Sequence, residues 1–376
     1  MYISRLPHVL CYDNIHISIS IFIDFVEQQL GAPTTVHSGT FPILYEIRNA
    51  NPEHMRLASM LSRAKQATGL TFNHDVRPTF KQIEAFGGQL HVHVIKILLD
   101  GEEAFHDYPH RSLLQYQPRR KLPTGIKTKQ FPLRTSPIDE SSVSGNIAVI
   151  EDVYIKQLKM THEEFSDMAI PSINDQSTNA RIRSAKAVRA KDINPFTRLQ
   201  CIQLGFGLFH LCANLIWALL QVHRGSISEP GSLSYFFAVL DRTQLNGEHP
   251  DYHALLATLM QILRGVILNA WEVECGCTTL SAFSLSNPTP QQLWEISNQI
   301  LRNHATPPLD PLSKILGSRG SDTPIDTVNR NLRILTRDLL CLGTHTGDIR
   351  WRFREGRRHA RIPSNDFPRC WVEQLL

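Results

Sequence analysis

Two aspartates stand where an apolar run meets polar chain. Asp13 follows His8-Val9-Leu10-Cys11-Tyr12, and Asp175 follows Met168-Ala169-Ile170-Pro171-Ser172-Ile173 with Asn174 between. A carboxylate at the end of a strand can bind Mg²⁺, because a hard cation takes oxygen ligands from one or two carboxylates together with substrate phosphate and water. Two such ions about 4 Å apart activate an attacking water and stabilise the leaving oxygen in phosphodiester cleavage. The plainer alternative is that each acid only caps the turn or helix after it, and spacing alone favours that alternative.

Other groups suggest weaker chemistry. His210 lies one helical turn from Asn214, with Trp217 and Gln221 continuing the same face, a polar stripe able to line a substrate groove. A histidine hydrogen-bonded inside a helical bundle is the plainer reading. His91-Val92-His93 and Cys275-Gly276-Cys277 suggest zinc, but neither has a second ligand pair at suitable spacing. There is no Gly-rich phosphate loop, nucleophile elbow or haem-attachment motif.

A 376-residue chain that is 42% apolar can bury a substantial core, and its net charge of +4 says little about partners. The distribution of charge says more. Residues 111–135, 181–198 and 347–369 hold 7, 6 and 7 basic side chains against 0, 1 and 3 acidic ones, leaving the remaining chain at −12. Such segregation suggests a polyanion-facing surface for DNA or RNA, with Arg119, Arg120 and Lys121 in the first cluster and Arg181 and Arg183 in the second. The most apolar stretch, Gly205 to Val222, contains His210 and Asn214, so a buried helix is expected there rather than a membrane span. The seven scattered cysteines and the lack of a secretory signal suggest an intracellular protein of the nucleus or cytoplasm.

The elements that must position the acids follow from periodicity. A strand is expected over residues 8–12 and a period-two pattern continues to Ile23. Two strands are expected at 34–36 and 43–47, then a helix from the Asn51-Pro52-Glu53 cap to Gly69. Residues 107–137, with five prolines, suggest a long loop, followed by a helix from Ile147 to about Leu158 and a strand over 168–173. After residue 200 every strong pattern is helical: Leu208, Leu211, Leu215, Leu219 and Val222; Leu255, Leu259, Leu263, Val266 and Ala270; and Val328, Leu332, Leu335 and Leu339. The expected organisation is an α/β portion over 1–200, an all-helical portion over 201–345 and an Arg-rich tail over 346–376.

A set of motifs resembles a known family. Cys11-Tyr12-Asp13-Asn14-Ile15, His37-Ser38-Gly39-Thr40, Ile138-Asp139-Glu140-Ser141 with Ser144-Gly145-Asn146, and Asn174-Asp175-Gln176-Ser177-Thr178-Asn179-Ala180-Arg181-Ile182-Arg183 occur in that order. Gly207-Leu208-Phe209-His210, Pro230-Gly231-Ser232-Leu233 and Gly347-Asp348-Ile349 follow. Together they resemble an uncharacterised domain family abundant in mushroom-forming fungi, whose members share Tyr-Asp-Asn, Gly-Asp-Gln-Leu-Thr and Gly-Leu-Phe-His signatures. That family brings no established activity. Its two-aspartate layout with a helical insertion is similar to transposon-derived proteins with a ribonuclease-H-like mixed sheet. In that likeness Asp13 and Asp175 would be the first two catalytic acids and would hold Mg²⁺, and the helical region would precede a third. Here Gly347-Asp348-Ile349 runs into an Arg-rich tail, which leaves Glu355 or Asp348 as a poor third ligand, and the second signature reads Asn-Asp-Gln-Ser-Thr. The resemblance therefore implies a nucleic-acid-binding protein whose Mg²⁺-dependent cleavage or strand-transfer site is degenerate and inactive. A protein of another class, a catalytically inactive interaction module that binds through its helical half, is the alternative.

Overall fold

The alternation read as strand to Ile23 runs straight through Asp13, and the first strand is continuous over His8–Ile19, while residues 20–23 of that pattern lie outside the described residues. The computed structural model describes residues 6–19, 35–115, 125–306 and 328–343. Along the chain come β1 (His8–Ile19), β2 (Thr35–Glu46), α1 (Leu57–Gln66), α2 (Phe80–Gly101), β3 (Gln130–Pro132), α3 (Val143–Glu151), α4 (His162–Ser166), β4 (Ile170–Asn174), α5 (Gln176–Val188), β5 (Ile202–Phe206), α6 (Leu208–His223), α7 (Leu233–Val239), α8 (Tyr252–Glu274), α9 (Leu280–Leu285), α10 (Pro290–His304) and α11 (328–343). The architecture is mixed α/β.

The described residues form two units. One takes residues 6–19, 35–70 and 125–211; the other takes 71–115, 212–306 and 328–343. Residues 71–115 thus lie with the helices, and β5 lies with the sheet. The sheet runs in the order β3-β2-β1-β4-β5. β2 is antiparallel to both β1 and β3, and β4 is parallel to both β1 and β5, so β2 alone runs against the other four. Leu10 and Tyr12 of β1, Leu44 of β2, Ile170 of β4 and Ile202 of β5 are buried against Val149 and Ile150 of α3, Phe165 of α4, and Ile182 and Ala185 of α5. Ile43 and Tyr45 pack with Cys11 and Phe41 in a smaller cluster of their own.

Several expectations change. The two strands expected at 34–36 and 43–47 are replaced by the single strand Thr35–Glu46, since 37–40 continue the ladder opposite 14–17. The proline-rich stretch contains β3, which pairs over three residues with β2. Pro171 withholds one N–H from the sheet without ending β4, which pairs with β5 along its whole length and with β1 at Leu10↔Ser172. The helix after Asn51 is shorter than expected: a 3₁₀ turn over Pro52–Met55 leads into α1. α2 runs through Gly87 and Gly88 as one helix, its start fixed by a capping box between Thr79 and Gln82.

The helical unit buries Ile95 and Leu98 of α2, Ile216 and Leu220 of α6, Leu255, Leu259, Leu263 and Trp271 of α8, and Leu335 and Leu339 of α11. The Trp271 indole N–H donates to the Val94 carbonyl at 3.2 Å, which satisfies the polar edge of a fully buried ring. Gly205 to Val222 is not one apolar helix, because Gly205 and Phe206 end β5. On α6 the buried residues are Cys212, Ala213, Ile216, Leu219 and Leu220, whereas Leu211, Leu215 and Val222 face outward. The stripe read from leucine spacing was therefore rotated, since cysteine, alanine and isoleucine share the packed side. α8 is long and apolar enough to cross a membrane, and half of its most apolar window is buried, so by itself this is weak evidence of a span.

The rotated face of α6 is directly testable. Leu220→Ala, at a position with no exposure, should lower unfolding stability by about 2–4 kcal/mol. Leu211→Ala, at a position 51% exposed, should cost less than about 1 kcal/mol in the same urea titration.

Candidate metal and nucleic-acid site

The parallel register between β1 and β4 sets the two aspartates beside each other. Leu10 pairs with Ser172, and three residues further along each strand stand Asp13 and Asp175. Asp13 lies within β1, level with Phe41 of β2, rather than at a strand end. Asp175 is the N-cap of α5, its Oδ1 accepting the Thr178 backbone N–H at 2.6 Å, so the capping alternative holds for one of its oxygens. Asp13 Oδ1 accepts the Asn14 N–H at 2.8 Å.

A third acid, Glu140, joins them. It is 2% exposed, and its Oε2 accepts the Thr178 hydroxyl at 3.0 Å. The turn that carries it is built by the motif residues around it. Thr40 exchanges backbone hydrogen bonds with Ser136 at 2.8 and 2.9 Å, and its hydroxyl donates to the Ile138 carbonyl at 2.7 Å. A Cβ at Gly39 would overlap the Ser136 carbonyl oxygen, so only glycine lets this turn lie against β2. Downstream, a Cβ at Gly145 would overlap the Asp139 carbonyl oxygen. Fully buried Asn146 then locks the turn: its amide N–H groups donate to the carbonyls of Glu140 (2.6 Å) and Ser142 (2.8 Å), and its Oδ1 accepts the Tyr12 hydroxyl at 2.8 Å. A hydroxyl on the residue before Asp13 thus holds the backbone of Glu140.

Burial pushes the Glu140 carboxyl up to about 7, opposed by the Thr178 hydrogen bond, raised further by the negative charges of Asp13 and Asp175, and moderated by Arg181. The Cys11 thiol, buried and in the fields of Asp13 and Glu140, is pushed up to about 12, which removes it as a nucleophile near neutral pH. Tyr12 is raised by burial and then by Glu140 and Asp175, so its hydroxyl stays a donor. Sequence reasoning missed Glu140 as a site residue, although it sits inside a motif that was singled out. The signal was its place between two groups able to hold a turn, Gly39-Thr40 and Gly145-Asn146.

Arg181 on α5 is half-buried and close enough to act on Glu140; Arg183 is exposed. The rest of that basic cluster is largely structural. Lys186 donates to the Ile202 carbonyl, Arg189 to that of Thr197 at 3.4 Å, and Arg198 to those of Asp192 and Ile193 at 2.7 and 3.1 Å. Arg119, Arg120, Lys121, Asp348 and Glu355 lie outside the described residues. His210 and Asn214 are exposed on α6; from the same stripe, Gln221 reaches a cleft with Arg224, Glu248 and His249. His91 is a packing residue, stacked on Trp294 at 4.7 Å and 2.9 Å from the Ser297 hydroxyl. Burial and the nearby Lys96 and Arg264 push His93 down to about 4. Among the described residues no three His, Cys, Asp or Glu side chains are grouped to hold a metal, which holds for Asp13, Glu140 and Asp175 as it does for the histidine and cysteine pairs.

A family model described as a family of unknown function (DUF6589) matches residues 65–346, well over half of the chain. The chain belongs to that family. The match takes in Glu140, Asp175, Thr178 and Arg181 and begins after β1 and β2, so it does not include Asp13. No curated protein and no solved structure matches the chain.

Because the folded chain holds the Glu140 proton more tightly than the unfolded one, where the ordinary value is 4.5, the folded state binds more protons between pH 4.5 and about 7. Stability from this group is complete below 4.5 and is lost as pH rises through about 7, amounting to about 3 kcal/mol. Glu140→Gln should remove that decline, so unfolding curves of the two proteins should converge at pH 4 and separate at pH 8 with the variant the more stable. Gly145→Ala should cost about 1–3 kcal/mol at any pH, through overlap with the Asp139 carbonyl.

Proposed function

We propose that the sheet-bearing unit is a ribonuclease-H-like core with a degenerate Mg²⁺ site at Asp13, Glu140 and Asp175, in a transposon-derived protein that binds nucleic acid. The observation that carries this reading is that Asp13 and Asp175 each stand three residues beyond the one parallel pair of β1 and β4, and that both act electrostatically on the buried Glu140. The strand order β3-β2-β1-β4-β5, with β2 alone reversed, supports this reading.

The donor set fits a hard cation in kind. The charged donors are carboxylates, and the buried amide oxygens of Asn14 and Asn174, next in sequence to the two aspartates, have no hydrogen-bond partner among the described residues. Three acids need not converge on one ion, because Mg²⁺ keeps several waters and takes only one or two carboxylates beside the phosphates it binds. When bound, Mg²⁺ would polarise the scissile phosphate and activate the attacking oxygen. Arg181 would meet the negative backbone beside the acids, and Glu140, half protonated near neutrality, would surrender its proton as a cation enters. The altered second signature, with Asn174 and Ser177, and the Arg-rich tail support a degenerate site over a competent one.

The test joins cation and nucleic acid. Mn²⁺ or Mg²⁺ should raise the thermal midpoint of the full chain at pH 8, and Asp175→Asn and Glu140→Gln should each abolish the rise. DNA or RNA should bind with an affinity that falls steeply with salt and weakens in Arg181→Glu, without detectable cleavage. Cleavage that disappears in Asp175→Asn would show the site to be intact rather than degenerate. Absence of both cation and nucleic-acid binding would leave the protein-interaction module as the function.

A further inference from the structure

Cys275, Gly276 and Cys277 form the turn that follows α8 in the helical unit, and nothing described so far uses them. The chain on both sides of the turn is held. Trp271, in the last turn of α8, and Phe283, on α9, are both buried, and their rings stack with centroids 6.3 Å apart. Glu274, the last residue of α8, accepts from Asn303 Nδ2 at 3.0 Å and lies 2.9 Å from His304 Nε2, which fastens it to α10. Ser284 donates to the Ala104 carbonyl at 2.6 Å. Between these anchors Gly276 lies at φ +69°, a left-handed conformation that folds the three residues back and that glycine adopts without steric cost. The Cys275 thiol lies 3.6 Å from the Glu272 carbonyl and 3.9 Å from that of Cys277, so its sulfur sits against the backbone of the second cysteine. Both cysteines are half-buried against the helical core, whereas Gly276, Thr278 and Thr279 are exposed, so a small reagent can reach the pair.

We propose that Cys275 and Cys277 form a dithiol–disulfide exchange site whose substrates are small-molecule disulfides. Cys277 attacks one sulfur of a disulfide RSSR; that S–S bond breaks, and the departing RS⁻ takes up a proton in place of the one Cys277 has lost. Cys275 then loses its own proton to water and attacks Cys277 Sγ, closing a Cys275–Cys277 disulfide and expelling the second RS⁻, which leaves as RSH. The two cysteines give up two electrons and two protons, and the small disulfide gains both. Burial holds the Cys275 thiol above its ordinary value, which suits it to the second step: a neighbour two residues away needs little thiolate, because its effective concentration is high. A disulfide closing so short a loop departs from relaxed geometry and is readily reduced, so the bond is a reversible one and not a staple. The buried thiols do not compete. Burial pushes both Cys11 and Cys201 up to about 12, and Cys212 is buried in the helical core.

The reduced full chain, exposed to graded ratios of oxidised to reduced glutathione, quenched by alkylation and mapped by peptide mass spectrometry, tests this. The peptide carrying both cysteines should lose its two alkylation sites together and become two hydrogens lighter. This should happen at an oxidised-glutathione level at least about tenfold below any that modifies Cys11, Cys201 or Cys212. Excess reduced glutathione should restore both thiols. Cys275→Ser should stop the reaction at the mixed disulfide, leaving glutathione on Cys277, and Cys277→Ser should leave Cys275 largely unmodified at the same ratio. Glutathione on both cysteines of the wild-type chain, with no bond between them, overturns the proposal. Oxidation of the pair no earlier than the buried thiols overturns it too, and an internal bond that resists reduced glutathione makes the pair a structural staple. These readings are made on the wild-type chain and stand even if a serine variant does not fold. Adducts that form equally fast in the two serine variants overturn the order of attack.

Discussion

A carboxyl group buried beside two others of its own sign survives only where its surroundings hold it by force, because lost hydration and repulsion both oppose it. Glu140 is such a group, and much of the sheet-bearing unit can be understood as its support. The backbone on either side is clamped, by Thr40 upstream and Asn146 downstream, before the side chain is placed at all. Tyr12, Asn146 and Glu140 form a chain of contacts from the central strand to the turn, and Thr178 closes the circuit from the helix after β4. Each member is buried, so each lost bond would leave a polar group without a partner where water cannot replace it.

The apolar core makes that clamp possible. Leu10 and Tyr12 sit two residues apart on one face of β1, and the same packing that buries Leu10 under α3 and α5 delivers the Tyr12 hydroxyl to Asn146. α5 is anchored by Ile182 and Ala185, which fixes its first turn and with it Asp175 and Thr178. The helical unit has a separate core centred on α8, whose buried Trp271 is tied to the backbone of α2.

How much of this was legible in the sequence depends on the range of the interaction concerned. Local signals carried well: the N-cap at Asp175 and the stripe of α8 are set by residues within a turn or two of each other. Pairing over a distance did not carry. β3 is only three residues long and exists because β2 offers it an edge, and β5 was hidden in what looked like the start of a helix. The two aspartates were visible because each follows an apolar run, and their adjacency came from a parallel pairing that no spacing encodes. Glu140 was invisible for a related reason: it follows no apolar run, and its burial is produced by Gly39 and Asn146, residues about a hundred positions upstream and six downstream. The orientation of α6 was misread because leucines were counted as core while the packed side uses Cys212, Ala213 and Ile216.

The lysine and arginines after α5 begins illustrate how formal charge overstates electrostatic reach. Of the six basic side chains between residues 181 and 198, Lys186, Arg189 and Arg198 are bonded to backbone carbonyls of the chain that leads into and forms β5. These three act as mechanical ties, and withdrawing any of them toward a phosphate would unfasten the path to the edge strand β5. Only Arg181, Arg183 and Lys191 remain to displace condensed counterions from a polyanion, each phosphate neutralised on B-DNA releasing about 0.9 of an ion. Half of that cluster therefore belongs to the mechanics of the fold, and the ionic atmosphere of a bound nucleic acid would register only the other half.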